Sequence, residues 1–111
     1  MILALMASGM NGQRWRFVGY LSVEGLERRA EIENLDRLAS QSGETQIFME
    51  TPYRNQKLLS DLVAWCQPRT QLCVAQGLTT EGEWIKTASI ASWKTEGIEL
   101  KKIPSLFLLG S

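Results

Sequence analysis

Pro52 is the residue that most constrains what this chain can fold into. It follows the apolar run TQIFM (45–49) and the pair Glu50 and Thr51. Proline has no amide hydrogen to give to a sheet ladder, so a strand over 45–49 has to stop there. Thr51 then stands as a helix N-cap and Pro52 at the first helical position, where the missing donor costs nothing. Leu58, Leu59, Leu62, Val63 and Cys66 recur at helical spacing, which predicts a helix over 52–66 with one core-facing stripe. A strand that turns directly into a helix is a building unit of open α/β sheets. The amino end of such a helix offers free amide donors, so the turn is a candidate ligand wall. The alternative is that Glu50 and Arg54 are solvated turn charges.

The rest of the chain continues the alternation. Residues 1–9 read as a helix that stops at Gly9, and RWRFVGYL (14–21) as a strand of alternating bulky and polar residues. A charged helix is expected over 23–40, with Leu26, Ala30, Leu35, Leu38 and Ala39 inward and the pairs Glu24 with Arg28 and Glu33 with Arg37 outward. TQLCVA (70–75) reads as a strand, QGLTTEGE (76–83) as a loop, and 84–87 as a short strand followed by a helical turn or two over 89–94. SLFLLG after Pro104 suits a buried strand. This order argues for one α/β layered domain over 1–111 with a partly parallel sheet. Three turns, at 50–52, 76–79 and 103–105, then stand at strand ends and can share one sheet edge, where ligands bind in such folds.

Composition excludes several chemistries. The chain has no histidine, which rules out a Ser-His or Cys-His nucleophile pair built within it and removes the commonest zinc ligand. Cys66 and Cys73 have the spacing of neither a zinc pair nor a redox motif, and they read as small buried hydrophobes in a reducing cytosol; a disulfide between them stays open. Twelve basic and twelve acidic residues cancel, so no net field draws a polyanion to the whole surface. The small clusters Arg14 with Arg16, Arg28 with Arg29, and Lys101 with Lys102 read as solvated faces. Trp15, Trp65, Trp84 and Trp93 read as core or interface residues, with Trp15 and Tyr20 able to cover a dimer surface. No stretch approaches the ~20 apolar residues of a membrane span. MILALMASGM lacks the basic start of a signal peptide. The chain opens inside an apolar helix without a polar lead-in, as a fragment of a longer protein would.

ALMASGM, FVGYL, IFMETPYR, VAQGLT and IPSLFLLG, in this order and at these separations, resemble the carboxyl-terminal domain of the tetrapyrrole (corrin/porphyrin) methylase superfamily. The resemblance covers nearly the whole chain. Its nearest branch comprises bacterial enzymes that methylate a cytidine ribose 2′-hydroxyl in small-subunit ribosomal RNA. That branch carries Glu-Ser/Thr-Pro-His-Arg after the corresponding strand, and here the segment is Glu50, Thr51, Pro52, Tyr53, Arg54. There are departures. Tyr53 replaces the histidine, Gln76 to Thr80 stand where the branch has Arg-Glu-Leu-Thr-Lys, and the last strand with Pro104 before it follows the general superfamily pattern.

The resemblance implies a class III methyltransferase fold: a three-layer α/β/α domain with a mixed sheet of about five strands, the carboxyl-terminal half of a two-domain enzyme. Such an enzyme holds S-adenosylmethionine in the cleft between its domains. The amino-terminal domain with its Gly-Asp-Pro loop, and a small-residue loop just upstream of the first helix, lie outside this chain. By motif, cofactor contacts on this half are implied for Glu50, Thr51, Leu78, Thr79, Pro104 and Ser105. No catalytic residue is assigned and no metal is implied; Glu50 is the one carboxylate in the three turns to consider as a base. Leu78 reads either as part of an adenine wall or as an ordinary core leucine, and Thr79 either as a turn cap or as a ligand contact. The implied setting is cytoplasmic, without a membrane. The amino-terminal domain of the parent is the implied partner, a homodimer is allowed, and RNA would be reached through the full-length protein only. Two other readings stand beside the ribosomal one: a corrin or porphyrin methylase, and a non-catalytic dimerisation or interaction module.

Overall fold

The computed structural model describes residues 4, 8–10, 13–23 and 25–111. Short runs of β-branched, aromatic and aliphatic residues become five strands: β1 (Trp15–Tyr20), β2 (Thr45–Glu50), β3 (Gln71–Gln76), β4 (Trp84–Ser89) and β5 (Ser105–Gly110). They form a single sheet in the order β1-β2-β5-β3-β4. β1 pairs with β2 in parallel, and β5 lies antiparallel between β2 and β3. β1, β2 and β3 therefore point the same way, and their carboxyl ends share one edge with the amino ends of β4 and β5. This is the mixed α/β sheet expected from the sequence. The three turns at 50–52, 76–79 and 103–105 lie together on that edge.

Three helices cover one face: α1 (Gly25–Ser42), α2 (Asn55–Trp65) and α3 (Ile90–Glu96). Ile32, Leu35 and Ala39 of α1, Leu58, Leu59 and Leu62 of α2, and Ile90 and Trp93 of α3 bury against Phe48, Leu72, Val74, Phe107 and Leu109 of the strands. Phe48 and Phe107 stack across β2 and β5 with centroids 5.9 Å apart. Trp93 is buried and donates from Nε1 to the Leu72 carbonyl at 2.9 Å, so its polar edge is satisfied within the core. On the opposite face Ala4 packs with Ile47, Cys73, Ala75 and Leu108. Ala4 and Ser8 are helical; the remaining residues of the expected first helix lie outside the described ones.

The start of α2 differs from the sequence reading for a local reason. α2 begins at Asn55 rather than at Pro52, because residues 52–54 form a separate turn closed by the Arg54 amide on the Thr51 carbonyl at 3.1 Å. Thr51 therefore does not cap the helix; Arg54 occupies the cap position and makes no side-chain cap bond. α3 is capped as its sequence allows. Ser89 Oγ accepts from the Ser92 amide, and Gly97 closes the helix in the left-handed conformation at φ 59°.

The larger correction is in α1. Leu26 and Ala30, expected inward, are exposed, Leu26 at 88%. Arg28, expected on a solvated face, is 3% exposed. The stripe that faces the sheet runs Arg28, Ile32, Leu35, Asp36, Ala39, one face of a 3.6-residue period that includes two charged residues. Glu33 pairs with Arg29 at 3.6 Å rather than with Arg37, and Arg37 donates to Asn34. Glu24 lies outside the described residues.

Candidate functional site

At the shared edge the sheet changes from core to cleft. In the row of β2, β5 and β3 nearest the edge, Ser105 stands opposite both Glu50 and Gln76; in the next row Leu106 stands opposite Met49 and Ala75. Side chains alternate faces along a strand, so these two rows point opposite ways. The first faces the helices. The second floors a cavity of about 220 Å³ on the other face, lined by Tyr20, Met49, Glu50, Ala75, Gly77, Leu78, Pro104, Ser105 and Leu106.

Four of the six residues implied by motif, Glu50, Leu78, Pro104 and Ser105, line this one cavity. They come from all three turns. Thr51 and Thr79 are not among its lining residues. Thr51 Oγ1 is buried, and no described residue bonds to it. Thr79 is exposed, with its amide on Glu83 Oε1 at 3.0 Å and its hydroxyl on the Leu78 carbonyl at 2.6 Å. Its φ of 66° makes it a β-branched residue in the left-handed region, a strained position beside the cleft. Leu78 is half-buried and packs against the smaller core cluster while also lining the cavity, so it is both core and wall.

Glu50 does not present a free carboxylate. Its Oε2 lies 3.4 Å from Arg28 Nη1, and its Oε1 accepts the Thr51 amide at 2.8 Å and lies 3.4 Å from Arg54 Nε. Arg28 Nε in turn donates to Asp61 Oδ2 at 2.8 Å, and Lys57 meets Asp61 Oδ1 at 2.9 Å. A base needs a lone pair directed at the proton it takes. This carboxylate is engaged by cations and an amide on the helix side, an arrangement that holds the turn in place rather than one that aims a free carboxylate into the cavity.

Ser105 Oγ accepts from Gln76 Nε2 at 2.8 Å and from Asn55 Nδ2 at 3.3 Å, and donates to the Ile103 carbonyl at 3.0 Å. Asn55 also reaches the Lys101 carbonyl at 2.7 Å. Helix α2 and strand β3 thereby fix the loop that brings Pro104 to the rim. Both thiols are buried away from the cavity. Burial pushes the Cys66 thiol up, reinforced by Asp36 and Glu33, and burial pushes Cys73 up against a hydrogen bond from Thr87 that acts the other way. Both cysteines are free and buried, in keeping with the small-hydrophobe reading. Among the described residues, no group of three or more histidine, cysteine, aspartate or glutamate side chains is placed to hold a metal ion, and no helix is long and apolar enough to cross a membrane.

Tyr20, Met49, Ala75, Gly77 and Leu106 are wall residues that the motif does not imply as cofactor contacts; the sequence reads Tyr20 as a residue for a dimer surface and Gly77 only as part of the 76–79 turn. Three of them, Met49, Ala75 and Leu106, each sit one position into a strand from a named turn residue. Period-2 alternation applied to the strand ends is the signal that finds them.

The mixed five-stranded sheet, with helices on its face and an apolar cleft at the edge where β1, β2 and β3 end, is the fold of the class III methyltransferases. The chain superposes over its whole length on 47% of the crystal structure of the methyltransferase CobJ, at a TM-score of 0.58 and 19% identity. It superposes over 97% of its length on 49% of the uroporphyrin-III C-methyltransferase of Thermus thermophilus complexed with S-adenyl homocysteine, at 0.58 and 18%. Precorrin-6Y methylase of Archaeoglobus fulgidus gives 0.57 and 16%, with 97% of this chain and 43% of that one covered. In sequence the chain is 33% identical over 90 residues to ribosomal RNA small subunit methyltransferase I of Streptococcus pyogenes serotype M18, covering 81% of this chain and 30% of that protein. No family model matches. The resemblance read from the motifs is matched in sequence by the ribosomal RNA methyltransferase and in fold by the corrin and porphyrin methylases, and the chain spans less than half the length of the relatives named.

Proposed function

We propose that these residues form the carboxyl-terminal half of an S-adenosylmethionine-dependent methyltransferase and supply one wall of the cofactor cleft between its two domains. The observation that carries this reading is the convergence of three turns, far apart in sequence, on one apolar cavity at the strand-end edge. About 220 Å³ falls below the about 300–1,000 Å³ of a site that encloses a drug-sized ligand, as half of a cleft should. The lining fits the adenosine end of the cofactor. Met49, Ala75, Leu78 and Leu106 offer an apolar surface for a purine. When bound, the cofactor supplies an electrophilic sulfonium methyl. This half's own residues then align and shield, because transfer in line requires orientation and exclusion of water.

The substrate class we favour is the ribose 2′-hydroxyl of small-subunit ribosomal RNA, reached through the full-length protein in the cytoplasm. The Glu50-Thr51-Pro52-Tyr53-Arg54 segment and the 33% identity to a ribosomal RNA methyltransferase support it. A corrin or porphyrin acceptor is the second reading, favoured by the Pro104-led last strand. Counterion release makes RNA binding fall steeply with salt, so a steep salt dependence of ribosomal RNA binding by the full-length protein supports the first reading.

The test is calorimetric titration of S-adenosylhomocysteine into the full-length protein, its Leu78→Arg variant and this domain alone. The expected result is binding by the full-length protein, lost in the variant and weak or absent in the isolated domain. A folded full-length protein that fails to bind overturns the reading, and a non-catalytic interaction module replaces it.

A further inference from the structure

Resting on the cofactor-cleft reading, we infer that Arg28 is the positioning residue of the cleft, a single buried guanidinium that fixes two of its walls to each other. The two walls have no covalent route shorter than helix α1. Tyr20 lines the cavity at the end of β1, and the chain then passes through Ser22; Glu50 lines it at the end of β2 and leads into Thr51. Arg28 Nη1 donates to the Ser22 carbonyl at 3.1 Å and sits 3.4 Å from Glu50 Oε2. Nε on the same planar group donates to Asp61 Oδ2 at 2.8 Å, which ties both walls to α2. Ser22 is held a second time, since Glu31 accepts from its amide at 2.8 Å and from its hydroxyl at 2.7 Å.

Three features separate this from an ordinary buried ion pair. Arg28 and Glu50 are each 3% exposed, so their attraction is little screened. The acceptors come from three different elements, the β1–α1 loop, β2 and α2, and a guanidinium fork can serve them together where a point charge cannot. The cluster also lies at the cleft edge of the sheet. The other buried charged residue of α1, Asp36, is bonded to Gln67 and Thr70 ahead of β3, at the opposite edge. Arg28 makes no contact with the cavity itself. It acts through Glu50 and Ser22, keeping the turn at Thr51 and the strand end at Tyr20 at the separation a ligand needs.

The experiment compares S-adenosylhomocysteine affinity of the full-length protein with that of Arg28→Lys and Asp36→Asn, at a temperature where circular dichroism shows all three folded. Both substitutions disturb a buried polar cluster on α1, but only Arg28→Lys loosens the walls. The expected result is a Kd raised at least about tenfold in Arg28→Lys, as misplacement of a binding element by a fraction of an ångström or more produces, and unchanged in Asp36→Asn. Should Arg28→Lys not fold, Arg28→Gln, which leaves Asp61 its Lys57 partner and Glu50 its Arg54 partner, takes its place with the same readings. Wild-type affinity in the Arg28 variant, or an equal loss in both variants, overturns the inference while the cofactor reading stands. No binding by the wild type overturns the cofactor reading and this inference with it.

Discussion

Ser105 lies directly across the antiparallel β2–β5 ladder from Glu50, and the same residue faces Gln76 across β3. One serine thus joins the ends of two strands that start 26 residues apart, at Thr45 and Gln71, and its hydroxyl is the hub where Gln76, Asn55 and Ile103 meet. The cleft exists because these strand ends are level.

Replacing that hub by an apolar group of similar shape leaves donors short of an acceptor. Ser105→Val is expected to cost about 1–2 kcal/mol, because Gln76 Nε2 and Asn55 Nδ2 keep only their carbonyl partners. Urea unfolding with an unchanged slope and a lower midpoint is the expected result. An unchanged midpoint means that the hydroxyl network contributes nothing net.

Gly77 sits at φ +60°, where a Cβ would lie 3.0 Å from the Gly82 carbonyl oxygen and 3.0 Å from Thr80 Oγ1. The backbone oxygen cannot swing away as a side chain would. Gly77→Ala should therefore cost about 1–2 kcal/mol from the left-handed conformation alone, with more from the contact. Thermal unfolding measures it, and a variant as stable as wild type contradicts the loop geometry.

Two residues further on the sign reverses. Thr79 also has a positive φ, 66°, yet it is exposed and, among the described residues, its hydroxyl bonds to the preceding carbonyl. Asparagine tolerates this region far better than a β-branched residue, so Thr79→Asn should stabilise by about 0.5–1 kcal/mol. A fall in melting temperature indicates that Thr79 itself is required.

The buried thiols make stability depend on alkaline pH. Cys66 and Cys73 are both raised from an ordinary value of 9.0, so the folded state keeps its protons when the unfolded chain has lost them. Stability is then fully present below pH 9.0 and declines as pH rises above it, by up to about 1.4 kcal/mol per pH unit for each thiol. Denaturant midpoints between pH 8 and 10.5 should fall more steeply in wild type than in Cys66→Ala/Cys73→Val. Parallel curves count against thiol control.

The elements themselves were legible from local chemistry. Pro52 ends β2, the helical turn at Ser89 opens α3, and the five strands emerge in order from short apolar runs. The turn after β2 was misjudged, because Thr51 has the composition of a cap while the Arg54–Thr51 bond closes a separate turn first. The inward face of α1 was misjudged for a related reason. Arg28 falls on the stripe with Ile32, Leu35 and Ala39, but an arginine is credited to solvent unless its partners are known. Here those partners are the carbonyl of Ser22 and acids on β2 and α2.

What the sequence determined by itself was the set of strands and helices, the exclusion of histidine-based chemistry and the placing of polar turns at strand ends, since these follow from spacing and from what each side chain can do. Only the tertiary structure decided that β5 inserts between β2 and β3, that Glu50 is spent on Arg28, and that Tyr20, Met49 and Leu106 complete the cavity. Burial and charge compensation are properties of residues brought together from distant parts of the chain. No local pattern carries them.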